Sequence, residues 1–159
     1  MALGKKRGPK QEEMFIATAQ IVTGPGHPFY AKLNEVLAAA GFDEFVEELC
    51  APHYKKGGRP GIPPGVYFRM LLIGYFEGLD SQRGIAWRCA DSLGLRSFLG
   101  VALTEDTPVH ASLTMIRQRL PESVFDKVFV FVLSLLQDQD CCAARPWRLM
   151  PPRWKPTPR

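Results

Sequence analysis

Four groups of residues have types and spacing that chemistry could use. Asp43, Glu44, Glu47 and Glu48 gather carboxylates in one short stretch. Metal-dependent nuclease or phosphoryl-transfer chemistry needs acids that converge on an ion, whereas acids on one helix ordinarily make a solvated face. Cys50-x-x-His53 is half of a zinc site. Structural zinc takes four ligands, usually from two such pairs. Cys89, His110 and the adjacent Cys141 and Cys142 supply no second pair of matching spacing, so Cys50 and Cys89 are expected as small core residues. Gly58-Arg59-Pro60 is like the centre of a minor-groove hook, in which an arginine enters a narrow groove. Pro63 and Pro64 close behind it favour a loop leading into a helix. His110 to Leu120 offers Ser112, Thr114, Arg117, Gln118 and Arg119. These types contact phosphates and base edges when a helix sits in the major groove; the plainer reading is the wet face of a bundle helix. No Gly-rich phosphate loop, hydrolase elbow or kinase set is present. No catalytic and no metal-ligating residue is therefore expected in this chain.

The elements that must position these residues belong to a chain of 159 residues, 46% hydrophobic and 11% aromatic. That size and composition suit one domain with a packed core. The longest uncharged apolar run, Val128 to Leu136, is nine residues, half of what a membrane span needs. The opening residues carry charges but no apolar signal core, which predicts no secretory signal. Four cysteines without a regular framework suit a reducing compartment, and the cytoplasm is the expected location. The net charge of +4 is uneven. Residues 141–159 hold five basic side chains and no acid, and without them the balance is 15 basic to 16 acidic. Residues 28–54 carry one lysine against five acids, residues 55–119 nine basic against five acidic. That second stretch, with Lys55, Lys56, Arg59, Arg83, Arg117 and Arg119, is the region to test for phosphate contacts.

Periodicity predicts an all-α fold, a bundle of about six short helices with helix-turn-helix-like elements. Residues 1–26 form an expected flexible segment, although Met14 to Val22 is apolar enough for a strand or helix. Residues 27–139 form the helical domain and residues 140–159 an irregular tail. Apolar positions 29, 33, 36, 37 and 40 follow helical spacing up to Gly41. Phe42, Phe45, Val46 and Leu49 continue helically, with the glutamates outside. Pro63 or Pro64 opens a helix to about Glu77 that is apolar nearly all round, as a central core helix is. Asp80 or Ser81 caps the next, with Ile85, Trp87 and Cys89 placed inside. Leu95 to Leu99 is a short turn of helix. Ala111 to Leu120 turns Leu113, Ile116 and Leu120 inward, and Pro121 and Glu122 start a last helix to about Gln139.

Residues 58–120 resemble the N-terminal domain of InsH-type bacterial insertion-sequence transposases. The matching pieces are Gly58-Arg59-Pro60 with Pro63, Arg69-Met70-Leu71-Leu72 with Gly74-Tyr75, and Ser81 with Arg83. Leu93 to Gly100 and the Thr/Ser-bearing helix from Ser112 to Leu120, ending in basic residues, complete the set. The likeness extends over residues 27–139. It departs at Val109, where the family commonly has Asp before this helix. The resemblance implies a helical part that binds double-stranded DNA at transposon ends. It also implies strand cleavage and joining by three acids and divalent metal in a following ribonuclease-H-like domain. That metal would belong to the following domain, so no cofactor is expected in this chain. An intact transposase, or a second copy of this chain, is a further partner that the resemblance allows.

In that family the last helix leads into a segment like G-K-T-L-x-V-D-A-T-T-L-E-A-N, which carries the first catalytic Asp. The codons for residues 140–159, taken from the last nucleotide of the Asp140 codon, turn Asp-Cys-Cys into Leu-Leu. Permitted codons then spell L-L-R-G-K-T-L-A-V-D-A-T-T-L-E-A-N-A-A, with one Ala fixed by Met150 and the Glu fixed by Trp154. The expectation is a truncated transposase whose residues from about Asp140 onward are written in a shifted frame. Two readings from other classes stand beside it: a stand-alone DNA-binding regulator and a helical protein-interaction module.

Overall fold

The computed structural model describes residues 26–54 and 61–138. Among them are seven α-helices and no strand: α1 (Pro28–Ala39), α2 (Phe42–Cys50), α3 (Pro64–Glu77), α4 (Gln82–Asp91), α5 (Leu93–Leu99), α6 (His110–Arg119) and α7 (Glu122–Asp138). A 3-10 turn, Ala51–His53, follows α2. The Leu95–Leu99 turn is thus a full helix from Leu93, which makes seven where six were expected. The Met14 to Val22 segment and the tail from residue 139 lie outside the described residues.

Helix boundaries follow local chemistry. His27 caps α1, its Nδ1 accepting from the Phe29 N–H at 3.2 Å. Ser81 and Ser92 cap α4 and α5 through Oγ, accepting from Gly84 N–H at 3.0 Å and Leu95 N–H at 3.3 Å, the usual task of a serine ahead of a helix. Pro64 fills the first position of α3, where a missing N–H costs nothing. Gly78 ends α3 at φ 68°, a left-handed conformation that a side chain would disfavour. There the Leu79 N–H donates back to the Gly74 carbonyl at 2.8 Å, closing the turn.

α3 is the central element, as its apolar circumference predicts. Tyr67, Met70 and Ile73 are fully buried, and α2, α4 and α5 pack around it. α1 and α2 also pack on α7 through Val124, Val128 and Val132. Gly74 lets α4 close on α3: a Cβ there would stand 2.5 Å from Ile85 Cδ1. Two side-chain networks cross-tie the bundle. Arg69, 8% exposed in mid-α3, meets Asp43 of α2 with both nitrogens, at 2.5 and 2.9 Å, and gives Nε to Asn34 of α1 at 3.2 Å. Asp43, half-exposed, is thus taken up by Arg69, while Glu44, Glu47 and Glu48 beside it form the exposed face that their spacing suggested. Glu77 of α3 accepts from Arg88 of α4 at 2.6 Å and from the Tyr30 hydroxyl of α1 at 3.1 Å.

Candidate nucleic-acid interface

α6 is ten residues, about 15 Å of helix, comparable to the width of a major groove. Leu113 and Ile116 anchor it in the core. Thr114, Met115, Gln118 and Arg119 are exposed, and Ser112 and Arg117 half-buried. The helix begins at His110 although its N-cap, Val109, gives no side-chain hydrogen bond. α6 packs on α4, and the Thr114 hydroxyl donates to Gln82 Oε1 at 2.7 Å, with the His110 carbonyl 3.0 Å away. The two helices are joined through α5 and the residues after it. The short helix–turn–helix step is instead α6 to α7, across Leu120 and Pro121.

The two arginines of α6 are held from below by rings. Arg117 lies over Phe125 of α7 at 5.8 Å and Arg119 over Tyr54 at 5.0 Å, a cation–π seat that limits each side chain's freedom. Tyr54 precedes the basic sequence KKGGRP, so the end of α6 lies beside the residue that leads into it. Lys55, Lys56 and Arg59 themselves, and with them the Gly58-Arg59-Pro60 hook, lie outside the described residues. The hydroxyls of Tyr54 and Tyr67 are buried with no hydrogen-bond partner among the described residues. Burial pushes both phenols up, and the charges of Arg119 and Arg117 respectively oppose the rise.

Arg83 is exposed at the other end of the α4–α6 pair and makes no ion pair among the described residues. Beside it stands the residue that the sequence reading misplaced. Trp87 lies within α4 but is 80% exposed and does not join the core. Ile85 and Cys89 are the buried positions, and Trp87, two residues from each, falls on the opposite side of a 3.6-residue helix. Helical spacing carried that signal; hydrophobicity concealed it.

Among the described residues no three His, Cys, Asp or Glu side chains gather closely enough to hold an ion. The Cys50-x-x-His53 pair is split by burial: Cys50 is fully buried, which pushes its thiol up to about 11, and His53 is half-buried in the 3-10 turn. Cys89 is likewise buried, its thiol pushed up to about 12 chiefly by desolvation. The divalent metal of a transposition reaction has no fitting ligand set in this part of the chain. No helix among the described residues is long and apolar enough to cross a membrane.

An all-helical domain with an exposed polar helix between two cationic ends defines the class. The transposase domain family DUF772 matches residues 17–119, and the chain belongs to that family. No curated protein and no solved structure matches it. The family match stops at the end of α6, yet α7 beyond it supplies Val124, Val128 and Val132 to the same core.

Proposed function

We propose that the helical domain binds double-stranded DNA at the ends of an insertion element. The exposed side of α6 meets the groove, and cations at its two ends meet phosphates. The observation that carries this is the arrangement of α6 in a transposase-family domain. Thr114 and Gln118 are exposed between Arg83 at one end and Arg119 at the other. Lys55, Lys56 and Arg59, which follow Tyr54 in the sequence, would add charge, Ser112 lies on the same helix, and Arg117 borders it. Groove contacts would give sequence preference and the cations would set register.

The chain's part is recognition and not strand transfer. It offers no converging acids among the described residues, and the cleavage and joining of transposition would belong to a metal-dependent domain read in the shifted frame. The nucleotides beyond the Gln139 codon test this. An open shifted frame with further spaced acids supports it, and a closed one removes it. An intact transposase or a second copy of the chain would then be a partner at the same ends.

DNA binding is tested by fluorescence anisotropy with the element's terminal repeats and with shuffled duplexes. The expected result is affinity that falls with salt. Arg83→Ala and Arg119→Ala should each flatten the logarithmic salt slope by about 1 while the far-ultraviolet helix signal stays unchanged. Thr114→Ala and Gln118→Ala should narrow the preference for the terminal repeat. Folded protein without salt-dependent affinity for any duplex overturns the proposal.

A further inference from the structure

Between α4 and the start of α6 lies an open cleft of about 400 Å³. Its walls are Ala86, Trp87, Pro108 and Val109, with Arg83 and His110 at the rim, and no carboxylate lines it. The larger cleft of about 900 Å³, between α1 and α5, is different: Glu35 and Glu77 line it, and its Arg88 is already paired with Glu77. Only the smaller cleft presents an apolar slot beneath uncompensated positive charge.

Its floor and rim match the two parts of a nucleotide. Trp87 leaves 80% of its surface to solvent, and a flat aromatic open to water is a stacking platform for a base. Arg83 is one turn earlier on α4, so both side chains project from the same side of that helix. The first turn of α6 borders the slot. The Val109 carbonyl accepts from the Ser112 and Leu113 amides at 3.0 and 3.4 Å, and its side chain caps nothing, which leaves the His110 and Ala111 amides to an incoming anion. An apolar peptide segment would use the walls but leave Arg83 unanswered; a nucleotide answers both. In a continuous duplex the base faces are covered by their neighbours, so only an unpaired or extruded base reaches such a platform.

We propose that this cleft binds one unpaired nucleotide of DNA, the base stacked on Trp87 and its phosphate held between Arg83 and the first turn of α6. The inference rests on the DNA-binding reading and adds a preference for ends or junctions that expose a single strand. The test uses the full chain and two probes, a blunt duplex and the same duplex with a thymidine overhang. The wild type should bind the overhang probe about tenfold more tightly. Trp87→Ala should erase that difference and leave blunt-duplex affinity unchanged, and Trp87→Phe should retain most of it. Equal affinity of the wild type for both probes, or a preference that survives Trp87→Ala, overturns this site while duplex binding stands. Failure to bind either probe overturns both readings. Self-association in sedimentation that disappears in Trp87→Ala assigns the cleft to a second copy and also overturns it.

Discussion

Arg69 on α3 and Arg83 on α4 carry the same guanidinium into opposite situations. Arg69 is buried and fully engaged: Asp43 takes two nitrogens, Asn34 takes the third, and the Phe42 ring lies 5.4 Å away. Arg83 stands in solvent with no partner among the described residues, next to an exposed tryptophan. The first charge has spent its bonding capacity on the fold, since a buried cation without hydrogen bonds is costly. The second keeps that capacity for something outside the chain. Within one small domain, the paired charges tie α1, α2, α3 and α4 together, while Arg83 stands open beside the start of α6.

The largest effect should come from breaking the inner site. Asp43→Ala leaves a buried guanidinium with only Asn34. Removing one partner of a buried pair costs several kcal/mol, but the Asp43 side chain is 48% exposed, so water can partly replace it. The expected loss is about 2 kcal/mol, read as a lower urea midpoint with unchanged m-value. Arg83→Ala in the same assay should fall within about 0.5 kcal/mol of wild type. If the two losses were equal, the contrast between the arginines would collapse.

Acid gives the same contrast another form. The hydrogen bonds from Arg69 hold the Asp43 carboxyl below its ordinary value, against the opposing effect of burial. A depressed folded-state value means stability that is present above the ordinary carboxylate range and lost as pH falls through the folded value. Urea midpoints of the wild type should therefore drop with acid more steeply than those of Asp43→Asn, which has no such proton to take up. Parallel profiles would show that the pair is not what acid breaks.

Gly74→Ala probes the contact that lets α4 sit where it presents Arg83 and Trp87. The new methyl would meet Ile85 Cδ1 at 2.5 Å and Cγ1 at 2.9 Å. Ile85 is buried and α-helical, so relief requires an off-rotamer side chain or a shift of α4. Overpacking of this kind costs about 1–2 kcal/mol, offset in part by the better helix propensity of alanine. A thermal midpoint unchanged or raised would mean that α4 yields easily and that its register against α3 is loosely set.

Much of this architecture was legible in the sequence because the signals that set it are local. Gly41, Pro64, Gly78, Ser81, Gly100 and Pro121 each stand at an observed helix boundary, and each acts through its own backbone or side chain. What was not legible depends on tertiary neighbours. Asp43 looked like one acid among four until Arg69, from a helix across the core, was placed against it. The rings under Arg117 and Arg119 come from α7 and from the turn after α2, and nothing in the spacing of α6 announces them. Trp87 is a different failure. Its angle around α4 relative to Ile85 and Cys89 pointed outward, and its hydrophobicity pointed inward. A core is the usual place for so large an apolar side chain; leaving it in water loses that burial, which a ligand can recover.

The smallest effect is the most discriminating, because it should move stability and binding in opposite directions. Val109 occupies the N-cap of α6 at φ −83° and ψ 154°, backbone angles that suit a capping carboxylate. Val109→Asp would let the side chain accept from the first-turn amides and place a negative charge at the positive end of the helix. Both should stabilise, by about 1 kcal/mol together. The same carboxylate would stand in the wall of the Trp87 cleft, which now has none, and would occupy the amides offered to a phosphate. Val109→Asp should therefore raise the thermal midpoint and weaken overhang binding, whereas Val109→Asn should give much of the cap with less of the repulsion. A variant that gains stability and keeps its full preference for the overhang would place the phosphate elsewhere on the α4–α6 face.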